Sequence, residues 1–280
     1  MCLGLVNKKD YVVNTMNKEK IDICMMQETE IKKDYDAKLL TDKNYKIELE
    51  VTTNKSRCAT FIKNGIDYER RSDLEGIDNH LVIIDFKAST PYRAINIYRS
   101  FNPPNAETQM QHFKKQLELV RNAITDLGHR KVVLGGDFNL DYDRIEDLSY
   151  RNKQLCDVLG LWAENQRLIQ IIEFPTWHRV VNDIYKESVI DHIYLHDPTL
   201  VTEIYSKIPL IGDHKLIIIS IQSIQKQPKI TIKRSWKHYS KEILLAKLEG
   251  LSFDPEPNDP QNYWNMMEYK LLPIVDNLAR

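Results

Sequence analysis

The sequence predicts an α/β protein in which two β-sheets face each other and helices pack on the outside. Three observations indicate this fold class: many short apolar runs with strand character, few segments with helical periodicity, and hairpin-like connections between neighbouring strands. With 42 % apolar residues, 28 % charged residues and 9 glycines among 280 residues, the composition is typical of an ordinary globular chain and excludes a disordered one.

The N-terminal half predicts one helix followed by a series of strands. The helix covers residues 7–20 and begins at Asn7 as its cap, with an apolar face formed by Val12, Val13 and Met16. Residues 58–69 predict a hairpin that turns at Asn64-Gly65, a dipeptide favoured in hairpin turns. The other predicted strands are residues 21–26, 47–51, 80–87 and 93–99, of which the last two are expected to pair.

The C-terminal half predicts two helices, three strands and a tail. Residues 110–127 predict a long helix with Gly128 as its C-terminal cap, because six apolar residues recur at spacings of three and four. A second helix is expected at about 148–160, and strands at about 189–195, 200–206 and 214–222. We expect the domain to end near residue 222. The tail holds seven lysines and arginines against one acid at residues 226–247, then a helical segment at 261–280 that Pro273 interrupts.

Charge and cysteine usage restrict the compartment and the partners. The net charge of -1 gives no overall field that would favour a nucleic acid or a membrane, and no apolar run approaches the ~20 residues of a membrane span. The four cysteines form no paired metal motif, which indicates reduced thiols. The N-terminal apolar segment is too short for a signal peptide. We therefore expect an intracellular chain with no membrane partner.

Four segments with acidic or amide side chains each stand at the end of an apolar run. Their polar residues are Glu28, Asp137 with Asn139, Asp191, and Asp213 with His214. Carboxylates that converge in one cleft repel one another unless they share a proton or a cation, and oxygen ligands suit Mg²⁺ or Mn²⁺. A neighbouring histidine can act as a general base or stabilise a developing phosphorane. The pattern predicts metal-assisted hydrolysis of a phosphate ester.

Simpler interpretations of single residues remain open at this point. Glu28 alone could be a cap or turn residue, and the Asp213-His214 pair could also be a cap or a turn. His192 directly follows Asp191 and should point to the opposite face of its strand, so we predict His214 to be the catalytic histidine. Gly135 and Gly136 are expected to give a phosphate room to approach. Asp141 and Asp143 are predicted to be loop or cap residues.

Five motifs in this order resemble those of the endonuclease/exonuclease/phosphatase superfamily. They are Gln27-Glu28-Thr29, Tyr98 before Asn102-Pro103, Asp137 with Asn139, Asp191, and Asp213-His214. The resemblance covers about residues 1–222 and implies a four-layered α/β sandwich with two mixed, mostly antiparallel sheets and a Mg²⁺- or Mn²⁺-dependent site. The roles it implies are metal binding by Glu28 and Asp213, activation of water by Asp137, orientation of the phosphate by Asn139, support of His214 by Asp191, phosphate contact by His214, and transition-state stabilisation by Tyr98.

Within that superfamily the sequence is most similar to the endonuclease domains of non-LTR retrotransposon polyproteins. The similarity lies in "YRSFNPP", "FPTWHR" and "SVIDHIYLHD", and residues 223–280 resemble the linker that precedes reverse transcriptase. It implies an endonuclease that nicks DNA in the nucleus and leaves a 3′-hydroxyl for target-primed reverse transcription. The basic part of the tail is an expected contact for element RNA, although a solvated linker is the simpler interpretation.

One departure from the family pattern leads to a second hypothesis. The family opens with a strand that ends in Asn, and alignment on Gly4-Leu5 places Met1 at that position. We therefore expect an incomplete first strand and impaired activity. The alternatives are a truncated copy that binds nucleic acid without cutting it, or a related apurinic endonuclease or phosphatase.

Overall fold

The computed structural model of the chain describes residues 5–32, 40, 42–87, 91–104, 106–126, 131–222, 240–251 and 268–271. The chain forms two compact units, Met1–Gln225 and Lys226–Arg280. The assignment of the second unit as a linker before a reverse transcriptase stays a prediction.

The described part of the first unit contains fifteen strands. They are β1 (Ile23–Met26), β2 (Ile31–Lys32), β3 (Tyr45–Leu49), β4 (Lys55–Ser56), β5 (Ala59–Lys63), β6 (Tyr68–Arg70), β7 (Leu81–Phe86), β8 (Tyr92–Tyr98), β9 (Lys131–Asp137), β10 (Ile169–Gln170), β11 (Trp177–Val181), β12 (Ile184–Ser188), β13 (Asp191–Leu195), β14 (Val201–Ile211) and β15 (His214–Ile221). Three larger sheets have the strand orders β1-β5-β3, β10-β13-β9-β8-β7-β6 and β12-β11-β15-β14, and β2 pairs with β4.

The helices of this unit are α1 (Lys9–Lys18), α2 (Gln109–Thr125) and α3 (Lys153–Asn165). α2 begins in a capping box: the Thr108 hydroxyl accepts from the Gln111 amide, and the Gln111 side chain accepts from the Thr108 amide. α1 follows a 3-10 turn at Leu5–Lys8, with Lys8 at its N-cap position. The prediction that Asn7 caps this helix is therefore wrong, because Asn7 lies inside the preceding turn.

Three apolar clusters arrange these elements in four layers. α1 packs on the outer face of β1, β3 and β5, and α2 and α3 pack on the outer face of the six-stranded sheet. A third cluster fills the space between the three-stranded and the six-stranded sheet. β7 shows how alternation builds this arrangement, because Leu81 and Ile83 face the helices while Val82 and Ile84 face the other sheet. The predicted α/β sandwich is confirmed.

Most predicted strands and helices are present, but the hairpin at Asn64-Gly65 is wrong. The chain does turn there, since the Ile66 amide donates to the carbonyl of Lys63. However, β5 before the turn pairs with β1 and β3, whereas β6 after it pairs with β7 in the six-stranded sheet. The turn therefore moves the chain from one sheet to the other. Gly128, the predicted cap of the long helix, lies outside the described residues.

The described part of the second unit is helical. α4 (Lys241–Glu249) begins at Ser240, whose hydroxyl accepts from the Ile243 amide, and residues 268–271 form a helical turn. Trp264, Met267 and Pro273 of the predicted terminal helix lie outside the described residues. None of the helices in the described ranges is long and apolar enough to cross a membrane.

Candidate active site

The ends of five strands, three from the six-stranded sheet and two from the four-stranded sheet, lie close together. β8 and β9 run parallel and end together at Tyr98 and Asp137, which are register partners. β13 runs antiparallel to β9 and begins at Asp191, opposite Asp137. β15 begins at His214, the register partner of Trp177 in β11. This topology brings three predicted site residues, Asp137, Asp191 and His214, within reach of one another.

His214 and Asp191 form a hydrogen-bonded pair. Nδ1 of His214 lies 2.9 Å from Oδ2 and 3.1 Å from Oδ1 of Asp191. Burial alone would lower the pKa of His214. The hydrogen bond and charge of Asp191, together with the charges of Asp137 and Asp213, outweigh burial and raise this pKa to about 9. The imidazole is therefore protonated at neutral pH, which suits contact with a phosphate.

Asp191 is itself fixed by Thr176, a residue that the sequence analysis did not single out. The fully buried hydroxyl of Thr176 accepts from the amides of Ile190 and Asp191 at 3.1 and 3.0 Å. The carbonyl of Thr176 accepts from the Lys215 amide at 2.7 Å. Thr176 thus connects β13, which carries Asp191, with β15, which carries His214.

Asp137 and Asn139 form a tight turn after β9. Oδ1 of Asp137 accepts from the Asn139 amide at 2.8 Å, and Asn139 adopts a left-handed backbone conformation with φ of 50°. Nδ2 of Asn139 donates to the carbonyl of Arg99 at 2.9 Å. A left-handed conformation at a residue other than glycine is strained, and such strain is frequent at functional sites. The predicted role of Asn139 toward a phosphate stays a prediction.

The carboxyl group of Asp137 is buried among other acidic groups. Burial and the nearby charge of Asp191 raise its pKa well above the usual range, with a further contribution from Glu28, and the charge of His214 opposes them. One ligand atom from each of Asp137, Asp191 and His214 lies within 4.8 Å of the other two. A divalent cation would relieve the repulsion between the two carboxylates, whose oxygen atoms fit a metal ion, whereas the protonated imidazole of His214 would not ligate it.

Glu28 follows β1 and contacts Tyr98 across the space between the two sheets. The Tyr98 hydroxyl donates to Oε1 of Glu28 at 2.8 Å. Glu28 has a left-handed backbone with φ of 54°. Burial and the charge of Glu28 raise the pKa of Tyr98, so its phenol remains a hydrogen-bond donor. The alternative that Glu28 is only a turn residue does not account for this contact with a second sheet.

Gln27 and Asn96 join the two sheets just behind Glu28 and Tyr98. Nε2 of Gln27 donates to Oδ1 of Asn96 at 2.6 Å. Nδ2 of Asn96 donates to the carbonyls of Met26 and Ala59 at 3.2 and 3.0 Å. Asn96 is 1 % exposed, so these bonds form away from water and fix the ends of β1 and β8 relative to each other.

Asp213 directly precedes His214, and its carboxylate accepts a hydrogen bond from Trp177. Like Thr176, Trp177 was not singled out in the sequence analysis. The indole Nε1 of Trp177 donates to Oδ2 of Asp213 at 2.8 Å. The cluster of ligand atoms found among the described residues does not include Asp213 or Glu28. Their predicted roles as metal ligands therefore stay predictions.

The glycines before Asp137 serve the packing of strands. A Cβ atom on Gly136 would lie 1.9 Å from the carbonyl oxygen of Ile97 in the neighbouring strand, and one on Gly135 would contact Sδ of Met25 at 3.4 Å. The expectation that both glycines make room for a phosphate is wrong, because β8 and β1 occupy that space.

The other predicted residues near the site take structural positions. His192 is buried and stacks on Phe138 with ring centroids 4.9 Å apart, and burial lowers its pKa to about 4, so it is a neutral packing residue as expected. Oδ1 of Asp141 accepts from the Val189 amide at 3.1 Å. Asp143 lies on the surface in a 3-10 turn. Asp141 and Asp143 are thus loop residues, as predicted.

Sequence and structure comparisons identify the family. The model of the "Endonuclease/Exonuclease/phosphatase family" matches residues 2–214, which is most of the chain. The chain belongs to this family. The family's name covers enzymes that hydrolyse phosphate esters, in agreement with the site geometry. A comparison with curated proteins gives no match.

Three solved structures share this fold at low sequence identity. The endonuclease domain of TRAS1, a telomere-specific non-LTR retrotransposon, is 13 % identical, with a TM-score of 0.62, and the match covers 78 % of this chain and 94 % of that domain. The AP endonuclease LMAP from Leishmania major is 12 % identical, with a TM-score of 0.59 and coverage of 77 % and 82 %. The 3′ phosphatase NExo from Neisseria, bound to a product DNA hairpin, is 17 % identical, with a TM-score of 0.56 and coverage of 79 % and 96 %.

Proposed function

We propose that this chain is a Mg²⁺- or Mn²⁺-dependent endonuclease that nicks DNA and leaves a 3′-hydroxyl for target-primed reverse transcription. The observation that carries the proposal is the convergence of the Asp191–His214 pair, buried Asp137 and the Glu28–Tyr98 pair at one edge of the sandwich. The similarity to the retrotransposon endonuclease domain supports the biological role.

The residues of this site suit hydrolysis of a phosphodiester. Glu28, with Asp213, would hold the metal ion, which when bound supplies charge neutralisation at the phosphate. The protonated imidazole of His214 would bind a non-bridging oxygen, and Asn139 would orient the phosphate. Asp137 would accept a proton from the attacking water. Water would add to phosphorus while the bond to O3′ breaks, Tyr98 would donate a hydrogen bond to the developing charge, and the departing O3′ would take a proton from solvent. The products are a 3′-hydroxyl and a 5′-phosphate.

A hairpin next to the site favours a duplex over a small phosphate ester as substrate. β11 and β12 form a ladder from Trp177 to Val181, closed by Asn182 and Asp183. Val180 is 62 % exposed, Ile184 60 % and Tyr185 57 %. By alternation, Ile184 shares a face of the hairpin with the register partners Arg179 and Lys186, and Val180 and Tyr185 lie on the other face. Exposed apolar residues with basic neighbours can contact the sugars and phosphates of a nucleic-acid groove. The hairpin starts at Trp177, which binds Asp213, so a duplex on it would reach the site.

The comparison of three substrates tests this proposal. The full chain would be incubated in Mg²⁺ with supercoiled plasmid, with a duplex containing one abasic site, and with a soluble phosphomonoester. Nicking of the plasmid, with ends that a polymerase extends directly, is the expected result. Cutting of the abasic duplex alone would indicate an apurinic endonuclease, and release of phosphate alone would indicate a phosphatase. Salt-dependent DNA binding without cutting would favour the truncated, binding-only alternative.

The remaining expectations follow from this role. We propose that the chain acts in the nucleus, where its DNA substrate lies, and that the basic segment 226–247 contacts element RNA. Met1–Gly4 lie outside the described residues, so the expected effect of an incomplete first strand on activity stays a prediction.

A further inference from the structure

We infer that Arg99 is a positioning residue that holds the turn from Asp137 to Asn139 in its active geometry. The inference rests on the proposed function, because it concerns the geometry of the same hydrolytic site. Arg99 directly follows Tyr98 in the sequence. Its side chain is buried, with 1 % exposed, so we assign it no direct contact with a substrate.

The side chain of Arg99 binds the backbone of this turn at two consecutive carbonyl groups. Nε donates to the carbonyl of Phe138 at 2.5 Å, and Nη2 donates to the carbonyl of Asn139 at 2.8 Å. Nη1 donates to Oε1 of Gln109 at the start of α2, at 3.1 Å. The guanidinium group therefore ties the turn to a helix, and each of its nitrogens has a defined partner.

The backbone of Arg99 holds the same turn from the other side. Its amide donates to the carbonyl of Asp137 at 2.9 Å, and its carbonyl accepts from Nδ2 of Asn139 at 2.9 Å. Arg99 thus makes four hydrogen bonds to residues 137–139. The planar fork of an arginine places three separate nitrogens at the two carbonyls and Gln109, whereas the three N–H donors of a lysine share one nitrogen.

The guanidinium group of Arg99 donates its hydrogen bonds to carbonyl oxygens and not to a carboxylate. No acidic side chain forms an ion pair with it in the described ranges, and its guanidinium carbon lies 5.4 Å from the ring centre of Phe101 and 5.9 Å from that of Phe113. Hydrogen bonds from a charged donor are stronger than neutral ones. They offset the strain of the left-handed backbone at Asn139.

Arg93 is a matched control for the effect of a buried arginine on folding. It lies six positions earlier, in β8, is 0 % exposed, and also bonds to α2, through the carbonyl of Ala123 at 2.5 Å. In contrast to Arg99, it pairs with a carboxylate, that of Asp85, with Nε–Oδ1 at 2.5 Å. Arg93 makes no bond to the Asp137–Asn139 turn.

The test compares Arg99→Lys with Arg93→Lys in the full chain. Amide hydrogen exchange of residues 137–140, followed by mass spectrometry without metal, measures the turn directly. Exchange there should rise at least several-fold in Arg99→Lys but not in Arg93→Lys, even where both variants lose similar stability. With Mg²⁺ and plasmid, kcat for nicking should fall on the order of tenfold to a hundredfold in Arg99→Lys, with a change in KM below about threefold.

Equal exchange at residues 137–140 in the two lysine variants would overturn the inference, whatever their activity. If Arg99→Lys does not fold, Gln109→Ala removes one partner of the guanidinium and should produce a smaller rise in exchange at the same residues; no rise would also overturn it. A wild-type chain that does not nick DNA would refute the proposed function, while the exchange result would still decide the role of Arg99.

Discussion

Nδ1 of His214 lies 2.9 Å from Oδ2 of Asp191, and this bond joins strands that belong to different sheets. Asp191 opens β13 of the six-stranded sheet, and His214 opens β15 of the four-stranded sheet. The pair therefore forms only when the six-stranded and four-stranded sheets are both folded. The raised pKa of His214, and with it the protonated imidazole, depends on both sheets.

Loss of the Asp191 carboxylate should inactivate the site without unfolding the chain. Asp191→Asn removes the negative charge that raises the pKa of His214 and replaces the charged hydrogen-bond acceptor with a neutral amide oxygen. We expect kcat for plasmid nicking to fall on the order of a hundredfold or more. Asp143→Asn, at a surface aspartate of the loop after β9, should retain wild-type nicking. Equal activity of Asp191→Asn and Asp143→Asn would exclude the pair from the reaction.

Removal of the Tyr98 hydroxyl should reduce turnover more than stability. Tyr98→Phe leaves the ring in place but deprives Glu28 of its hydrogen bond. The free energy of unfolding should drop by about 1 to 2 kcal/mol, as measured by urea titration. Nicking should fall at least about tenfold, because Glu28 loses the contact that orients it. Tyr194→Phe, at a buried tyrosine that contacts His192, is the control and should nick normally.

Two glycine variants should change stability in opposite directions. Gly136→Ala places a Cβ atom 1.9 Å from the Ile97 carbonyl, so β8 and β9 must separate, and we expect a loss of about 3 kcal/mol or more. Gly160 lies inside α3, and its nearest contact would be Ile145 at 3.8 Å. Gly160→Ala should stabilise the chain by about 0.5 to 1 kcal/mol. Thermal unfolding measures both, and a mild effect of Gly136→Ala would refute the packing role of that glycine.

Acid should destabilise the fold partly through His112. Burial lowers the pKa of His112, helped by the charges of His80 and Lys115 and opposed by the hydrogen bond that the ring donates to Glu107. Since the pKa in the folded state lies below the unfolded value of about 6.5, the unfolded chain binds an extra proton as the pH falls below that value. The contribution of His112 to stability should therefore decline from pH 7.5 to pH 5.5, whereas that of His214, whose pKa is raised to about 9, increases as the pH falls through the upper part of this range.

Urea midpoints of the wild type and of His112→Gln at both pH values isolate the contribution of His112. As the pH falls, the stability of the wild type should decrease relative to that of His112→Gln, whose side chain at this position cannot titrate. An identical change in the two proteins would show that His112 does not contribute.

The candidate site residues could be predicted because each stands where an apolar strand begins or ends. Asp137 and Asp191 are register partners in β9 and β13, so strand pairing brings these two together, whereas His214 opens β15 of another sheet and meets them only through the packing of the two sheets. The Asn64-Gly65 hairpin could not be predicted correctly, because a turn signal indicates that the chain reverses but not which sheet the next strand joins. That choice depends on the apolar faces of β5 and β6 in the folded core.

The supporting residues could not be predicted for a different reason. Arg99 binds backbone atoms that lie 39 and 40 positions away, and Trp177 binds Asp213 at a separation of 36. Such contacts leave no local pattern in the sequence. The available signals were their positions next to predicted elements: Arg99 directly follows Tyr98, and Trp177 lies in the "FPTWHR" motif.

Metal-dependent nicking of supercoiled plasmid by the full chain tests the central claim most directly. The wild type should convert supercoiled to open-circular DNA in Mg²⁺, lose this activity in EDTA, and regain it when Mg²⁺ or Mn²⁺ is added in excess. Asp137→Asn should remain inactive under all of these conditions while it still binds DNA. Nicking that persists in EDTA, or that Asp137→Asn retains, would contradict a metal-dependent reaction at this site.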